Sequence, residues 1–184
     1  MHSVIGSCEE RMKKTIANLK EGYAALRTGR ASPALFDKIK VDYYGEKTPL
    51  NQTANISTPE ARLIVIQPWD KSLIGEIEKA ILASELSLNP SNDGKVIRIS
   101  IPPLTEERRK ELVKQAKAQA EQSRVAVRNI RRDGNEELKK FLKDKELTED
   151  EESKNEEELQ KLTDLYIKQI ETVLEEKESE IMEV

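Results

Sequence analysis

The sequence is poor in the residues from which most catalytic and metal sites are built. It holds one histidine, His2, at an N-terminus that we expect to be frayed, and one cysteine, Cys8. A single cysteine excludes an internal disulfide and a multi-thiolate metal site, and it fits a reducing compartment. The zinc motif H-E-x-x-H, the P-loop and G-x-G-x-x-G are missing as well. The sequence therefore predicts no metal site and no cofactor.

Aromatic residues and long apolar runs are also scarce. Aromatics make up 4% of the chain and charged residues 36%, which is typical of helices with exposed flanks and not of a β-sandwich. No stretch approaches the length of a membrane span, and no long apolar segment follows basic residues at the N-terminus. We therefore expect a soluble protein of the cytoplasm.

Proline is absent from both flanks of the chain, because all seven prolines lie between Pro33 and Pro103. In the flanks, apolar residues recur every three or four positions. They predict one helix from about residue 5 to residue 29 and a second over about 105–145. A capping box at positions 148 to 151 opens a third helix. Three apolar faces bury one another in an antiparallel three-helix bundle.

The proline-containing middle is predicted to be a separate small domain. Residues 39–43 and 96–101 alternate apolar with polar, residues 62–67 form an apolar run, and residues 72–86 have helical spacing. These patterns predict an α+β protein in which a small β/α/β domain, residues 31–104, is inserted into the bundle. The bundle domain is then discontinuous and comprises residues 1–30 and 105–184.

The charge of the chain is polarised. The net charge is −4, yet nine basic residues and only two acids lie between Arg108 and Arg132. Phosphate groups are the expected partner of this basic stretch. The alternative is an ordinary charged helix face, but such a face would interleave acids at four-residue spacing, and residues 124–132 contain none. The basic residues that we single out are Arg109, Lys117, Arg124, Arg128, Arg131 and Arg132.

Several short motifs resemble one known family. They are L-R-T-G-R-A-S-P at 26–33, V-D-Y-Y-G at 41–45, L-N-P at 88–90, I-P-P-L-T-E-E-R-R-K-E-L at 101–112, R-V-A-V-R-N-I-R-R-D at 124–133 and Q-K-L-T-D at 160–164. Together, and in this order, they resemble the bacterial ribosome recycling factor family over essentially the whole chain. One departure is Ser87, which stands where the family pattern leads us to expect glycine.

The resemblance implies an L-shaped protein, similar in outline to transfer RNA, whose small domain hangs on a two-strand hinge. It further implies a monomer that binds the post-termination ribosome across the aminoacyl and peptidyl sites. With elongation factor G and GTP, such a factor splits the ribosome into subunits and releases messenger and transfer RNA. The chain itself would not be an enzyme.

Carried over residue by residue, the resemblance implies contacts to large-subunit ribosomal RNA by the basic stretch, above all by Arg131. Arg27 and Arg30 would lie near the hinge, where they could touch RNA or steady the hinge. The implied hinge residues are Ala31, Ser32, Pro33, Pro102, Pro103 and Leu104.

Other interpretations stay open at this point. A coiled-coil adaptor that binds protein would be a dimer whose binding responds little to salt. An enzyme with Asp70 and Asp93 as its acids would need a pocket in the small domain. Trp69 either closes that domain's core or forms an exposed anchor, whereas Tyr23 and Tyr166 fit helix cores better than base-stacking platforms.

Overall fold

Four α-helices, six β-strands and three short 3-10 helices form residues 2–183, the part of the chain that the computed structural model describes. They divide into two units, residues 2–27 with 106–183, and residues 28–105. In chain order the helices and strands are α1 (Ser3–Ala25), β1 (Lys40–Tyr43), β2 (Glu46–Pro49), β3 (Ala54–Glu60), β4 (Leu63–Pro68), α2 (Ile74–Leu82), β5 (Pro90–Asn92), β6 (Ile97–Ser100), α3 (Glu106–Lys143) and α4 (Glu149–Glu183).

Helices α1, α3 and α4 form the three-helix bundle that the apolar periodicity predicted. The Cys8 thiol donates to the Ile130 carbonyl, and the Tyr23 hydroxyl donates to the Ala116 carbonyl at 2.7 Å. Residue numbers thus rise along α1 while those of the contacted residues fall along α3. These two helices are therefore antiparallel. Tyr23 and Tyr166 are both 4% exposed, which confirms them as core residues. Burial raises the pKa of Tyr23 to about 12.

The N-terminal end of α1 differs from the expected frayed segment. The Nδ1 atom of His2 accepts a hydrogen bond from the Val4 amide at 3.3 Å, so His2 is the N-cap of the helix. Its ring also packs edge-on against Phe141, with 5.0 Å between the ring centroids. The expectation of fraying was wrong because both contacts hold this end in place. At its other end α1 stops at Ala25, before the predicted Gly29.

The predicted capping box at the start of α4 is present. The Thr148 amide donates to the Glu151 carboxylate at 2.9 Å, and the Glu151 amide donates to the Thr148 hydroxyl at 3.3 Å. These bonds satisfy backbone donors that have no partner inside the helix. The Glu151 carboxylate accepts hydrogen bonds from both the amide and the hydroxyl of Thr148, and these bonds lower its pKa.

Gly134 lies where side chains of all three helices come close together. It is buried in the last third of α3, and a Cβ atom built on it would lie 2.7 Å from the Cys8 sulfur on α1 and 2.7 Å from the Leu159 Cδ2 on α4. Glycine weakens a helix by about 1 kcal/mol relative to alanine. Its presence in α3 is therefore explained by packing and not by helix propensity.

The small unit contains two antiparallel sheets and one helix. Strands β1 and β2 form a hairpin, and the second sheet has the order β3-β4-β6-β5. Helix α2 buries Ile77 and Ile81 in the same core as Ile64 and Ile99 of the larger sheet. Strands β1, β4 and β6 and helix α2 lie where the sequence patterns predicted strands and a helix.

Sequence reasoning missed strands β2, β3 and β5, and each of them contains a proline: Pro49, Pro59 and Pro90. Strands β3 and β5 are the two edges of the four-stranded sheet, and β2 pairs on one side only. Edge strands tolerate proline because its missing N–H faces away from the ladder. No helix among residues 2–183 is long and apolar enough to span a membrane.

Ser87, the residue found in place of the expected glycine, has a φ of +53°. Backbone strain in this left-handed conformation costs a non-glycine residue about 1–2 kcal/mol. Glycine has no such strain there, but it loses more backbone entropy on folding, which costs about 0.5–1 kcal/mol.

Ser87→Gly should therefore raise the free energy of unfolding of the small unit by about 0.5–1 kcal/mol. Trp69, the only tryptophan, lies in this unit and provides the fluorescence signal for a urea titration. Ser91→Gly is the control. Ser91 lies in strand β5, where glycine weakens the strand, so this substitution should lower the free energy of unfolding instead. Equal effects of the two substitutions would contradict the argument from backbone strain.

Candidate nucleic-acid interface

The six candidate basic residues of α3 lie on one side of that helix, and three of them, Arg109, Lys117 and Arg131, contact α4. The six candidates fall within about 140° of the helix circumference and span roughly 35 Å of its length, at about 100° and 1.5 Å per residue. We call this surface the basic edge; it consists of Arg109, Lys117, Arg124, Arg128, Arg131 and Arg132.

Arg109, Lys117 and Arg124 of the basic edge bond to groups within the bundle. Arg109 donates to the Met182 carbonyl at 2.8 Å and so places a positive charge at the C-terminal end of α4. The Lys117 ammonium lies 3.4 Å from the Glu178 carboxylate. The Arg124 side chain is only 19% exposed and bonds to Glu121 at 2.8 Å. Arg109 and Lys117 therefore help to hold α3 against α4, whereas the Arg124 pair lies within α3.

Residues 124–132 contain no acid, so the sequence pattern gave no sign that arginines of this segment form ion pairs. Glu121 lies three residues before Arg124 and seven residues, about two helical turns, before Arg128. Its second carboxylate oxygen is 3.6 Å from the Arg128 guanidinium. The acid that partly neutralises the basic edge, Glu121, thus lies just before the arginine motif and outside residues 124–132.

Arg131 is held in a fixed orientation by α4. Its Nη1 donates to the Gln160 side-chain oxygen at 3.0 Å, and the Gln160 amide in turn donates to Asp164 at 2.8 Å. A guanidinium has five N–H donors, so four remain for a ligand. Sequence reasoning missed this role of Gln160, although the residue lies in the quoted Q-K-L-T-D motif. Holding the side chain in place lowers the entropy cost of binding.

Arg128 and Arg132 are the more open neighbours of Arg131. The Arg128 side chain is 45% exposed. Arg132 is exposed, and the structure of residues 2–183 shows no ion pair or hydrogen bond from its side chain. Three guanidinium groups within about two turns of α3 therefore face a common side with most of their donors available.

Arg27 and Arg30 are both exposed, and the described residues include no hydrogen-bond partner for either side chain. Arg27 belongs to the helical unit and Arg30 to the small unit. Either guanidinium is chemically able to bind a phosphate. Among residues 2–183, however, no other side chain bonds to Arg27 or Arg30 and fixes its orientation.

The connecting segments lie side by side within the small unit. The Ala31 amide donates to the Ala61 carbonyl at 2.7 Å, and the Ile101 amide donates to the adjacent Arg62 carbonyl at 2.8 Å. Gly29 has a φ of +76°, and a Cβ atom built on it would lie 3.1 Å from Leu104. Both segments are thus anchored to the same turn between β3 and β4. Pro102 and Pro103 are exposed, and Ser32 caps the short helix Pro33–Phe36.

The two acids considered for catalysis have other partners. Asp70 caps the 3-10 helix Lys71–Leu73, and the amide and hydroxyl of Ser72 that bond to it lower its pKa. Asp93 accepts backbone bonds in its turn and binds Arg98 at 2.7 Å, and these contacts lower its pKa. Both carboxyl groups are therefore ionised near neutral pH and cannot act there as general acids. Trp69 is 70% exposed, so it does not close the core.

A family model described as ribosome recycling factor matches residues 19–182. The chain belongs to the ribosome recycling factor family. It is 66% identical to the ribosome-recycling factor of Treponema denticola over 177 residues, which cover 96% of each chain. It is 60% identical to the ribosome-recycling factor of Syntrophomonas wolfei over 181 residues, which cover 98% of each. Family members are translation factors, and this membership confirms the resemblance carried by the motifs.

Two solved structures of the same family have a similar fold. One is a solution structure of a ribosome recycling factor, with a TM-score of 0.73 and 48% identity over 98% of this chain and 96% of that one. The other is a T. thermophilus ribosome recycling factor, described together with E. coli elongation factor G bound to the E. coli post-termination complex. It has a TM-score of 0.62 and 47% identity over 97% of each chain.

Proposed function

We propose that this protein binds the post-termination ribosome and, with elongation factor G and GTP, splits it into subunits. Messenger and transfer RNA are then released for a new round of translation. Membership of the ribosome recycling factor family supports this proposal, as does the T. thermophilus relative placed with elongation factor G on a post-termination complex. The protein acts in the cytoplasm as a monomeric binding factor across the aminoacyl and peptidyl sites, without catalysis or a cofactor of its own.

The observation that carries the proposal is the orientation of Arg131. Its guanidinium is positioned by Gln160 on the same side of α3 as Arg128 and Arg132. Guanidinium forks pair with phosphate oxygens in two-point contacts, and RNA is recognised largely through its shape and backbone. We assign the principal contact with large-subunit ribosomal RNA to these three arginines. Arg109, Lys117 and Arg124 support the helix that presents them and add positive charge.

The hinge is also part of the proposal. The connecting segments Ala31–Pro33 and Pro102–Leu104 are short, so the domain of residues 31–104 can turn against the discontinuous helical domain but cannot drift away from it. A stiff bundle bound to RNA resists force, and the hinged domain can be pushed by elongation factor G. The exposed Arg27 and Arg30 would contact RNA or stabilise this segment.

Co-sedimentation with vacant bacterial ribosomes over a salt series tests the proposed RNA contact. Arg131→Ala should weaken binding about tenfold or more, because a charge-assisted hydrogen bond is worth about 1.5–3 kcal/mol. It should also make the dependence of log affinity on log salt shallower by about one unit. Arg11→Ala is the matched control, because Arg11 is exposed in the same unit and pairs with Asp133.

Binding of the native protein should saturate and should weaken steeply as salt rises. If the native protein does not sediment with ribosomes at low salt, the proposed function is wrong and a protein-binding adaptor becomes the better interpretation. If it binds but Arg11→Ala and Arg131→Ala behave alike, the ribosome stays the partner and the assignment of the arginine site fails.

A further inference from the structure

A second basic surface lies in the small unit and shares no residue with the sites assigned above. It is a groove of about 390 Å³ between the β1–β2 hairpin and helix α2. Four lysines and two acids are among the residues that line it; we call it the lysine groove. Its charged residues are Lys38, Lys40, Asp42, Lys47, Glu76 and Lys79.

The alternation of β1 explains why these side chains face the groove. Val41 is fully buried in the core of the small unit, so Lys40 and Asp42 on either side of it are exposed on the opposite face. Lys47 on β2 is the register partner of Asp42 and projects to the same face. Lys79 reaches the groove from the last turn of α2.

The acids of the groove pair with only one of its four lysines. Glu76 pairs with Lys79 at 3.1 Å, and one oxygen of Asp42 accepts the Gly45 amide at 3.1 Å. Within residues 2–183 no ion pair forms at Lys38, Lys40 or Lys47. In a chain whose net charge is −4, the groove therefore has an excess of positive charge.

The lining of the groove favours an extended polyanion. Helix α2 lines the groove from Glu76, in its first turn, to Ala83 and Ser84 at its C-terminal end, and the Glu76 carboxylate disfavours a compact phosphate at the N-terminal end. No aromatic side chain lines the groove for a base to stack on. What remains is a row of flexible ammonium groups, which contact phosphates one at a time without reading sequence.

We propose that the lysine groove binds the phosphate backbone of an RNA, as a contact separate from the basic edge of α3. This inference rests on the proposed function, because the ribosome supplies the RNA. The groove then gives the small unit its own electrostatic attachment, which is sequence-independent and salt-sensitive. The small unit is thus a binding element in its own right as well as the part that elongation factor G pushes.

The test compares two double variants of the full-length protein in the ribosome co-sedimentation assay. Lys40→Gln with Lys47→Gln removes two charges from the groove, and Lys71→Gln with Lys95→Gln removes two exposed charges elsewhere in the same unit. The groove variant should make the slope of log affinity against log salt shallower by about 1.5–2 units, whereas the control should change it by less than about half a unit.

A photo-reactive group on Lys47→Cys identifies the molecule in the groove, because Cys8 is buried and reacts poorly. Crosslinking to ribosomal RNA, together with the slope change, supports the inference. Equal slopes for the two double variants, or crosslinks to protein alone, overturn it. If the native protein binds and Arg131→Ala weakens that binding while the groove variant matches its control, only this inference fails. If the native protein does not bind, the proposed function fails as well.

Discussion

Gly134→Leu should lower the free energy of unfolding of the helical unit by about 3 kcal/mol, the largest loss of stability that we expect from a single substitution. The new side chain would enter a site where even a Cβ atom lies 2.7 Å from both Cys8 on α1 and Leu159 on α4. Overpacking of a close-packed core typically costs about 1–3 kcal/mol, and a side chain of four carbons belongs at the upper end. Urea unfolding followed by far-ultraviolet circular dichroism measures the loss.

A matched pair of alanine substitutions separates packing from helix propensity. Gly6 is also helical, but outside the nearby backbone of its own helix no atom lies within 4 Å of the position where its Cβ would be. Gly6→Ala should therefore add about 0.5–1 kcal/mol of stability through helix propensity alone. Gly134→Ala gains the same propensity and yet should lose about 1 kcal/mol in total. If Gly6→Ala and Gly134→Ala stabilise the protein equally, the close packing of the three helices does not require glycine at position 134.

Deletion of Pro103 should reduce subunit splitting much more than ribosome binding. The deletion shifts Leu104 by one residue, so that it no longer packs against Gly29, and it shortens one of the two segments anchored at Ala61 and Arg62. The basic edge of α3 is left intact. We expect splitting by the bound protein to fall on the order of tenfold, which corresponds to about 1.4 kcal/mol of lost coupling. Affinity for the ribosome should change by less than about twofold, or about 0.4 kcal/mol.

The substitution Pro103→Ala is the control for this deletion, because it removes the ring and keeps the length of the segment. It should leave splitting much closer to that of the native protein than the deletion does. Splitting is measured by light scattering with elongation factor G and GTP, and affinity by co-sedimentation. Reduced affinity with normal splitting by the bound fraction would show that the segment contributes to binding and is not a hinge.

The helical part of the fold was predictable because its signals are local and redundant. Apolar spacing and the Thr148–Glu151 capping box located the long helices, and the ends of α3 fall within two residues of the prediction. The close approach at Gly134 was not predictable, since an isolated glycine in a helical pattern does not show which neighbouring helix lies against it. The cap at His2 escaped notice because its support from Phe141 is distant in sequence.

The small unit and the candidate site were predictable only in part. Strands with buried alternating residues were found, whereas edge strands with proline were not, because proline counts against a strand when sheet position is unknown. The arginines of α3 were evident from composition. Their division into paired and open residues depends on Glu121, Gln160 and Glu178, and two of these three lie on another helix. The assignment of the site residues stays a prediction.

The order of elements along the chain has a consequence for folding during synthesis. Helix α1 leaves the ribosome first, yet its partners α3 and α4 come after the whole of the small unit; the bond from Cys8 to Ile130 spans 122 residues. Contacts this distant in sequence form slowly because a long loop must close first. The small unit, which is continuous in sequence, can complete its core while α1 still exposes its apolar face. A nascent chain of this protein therefore passes through a stage in which one helix, made first, is among the last elements to be buried.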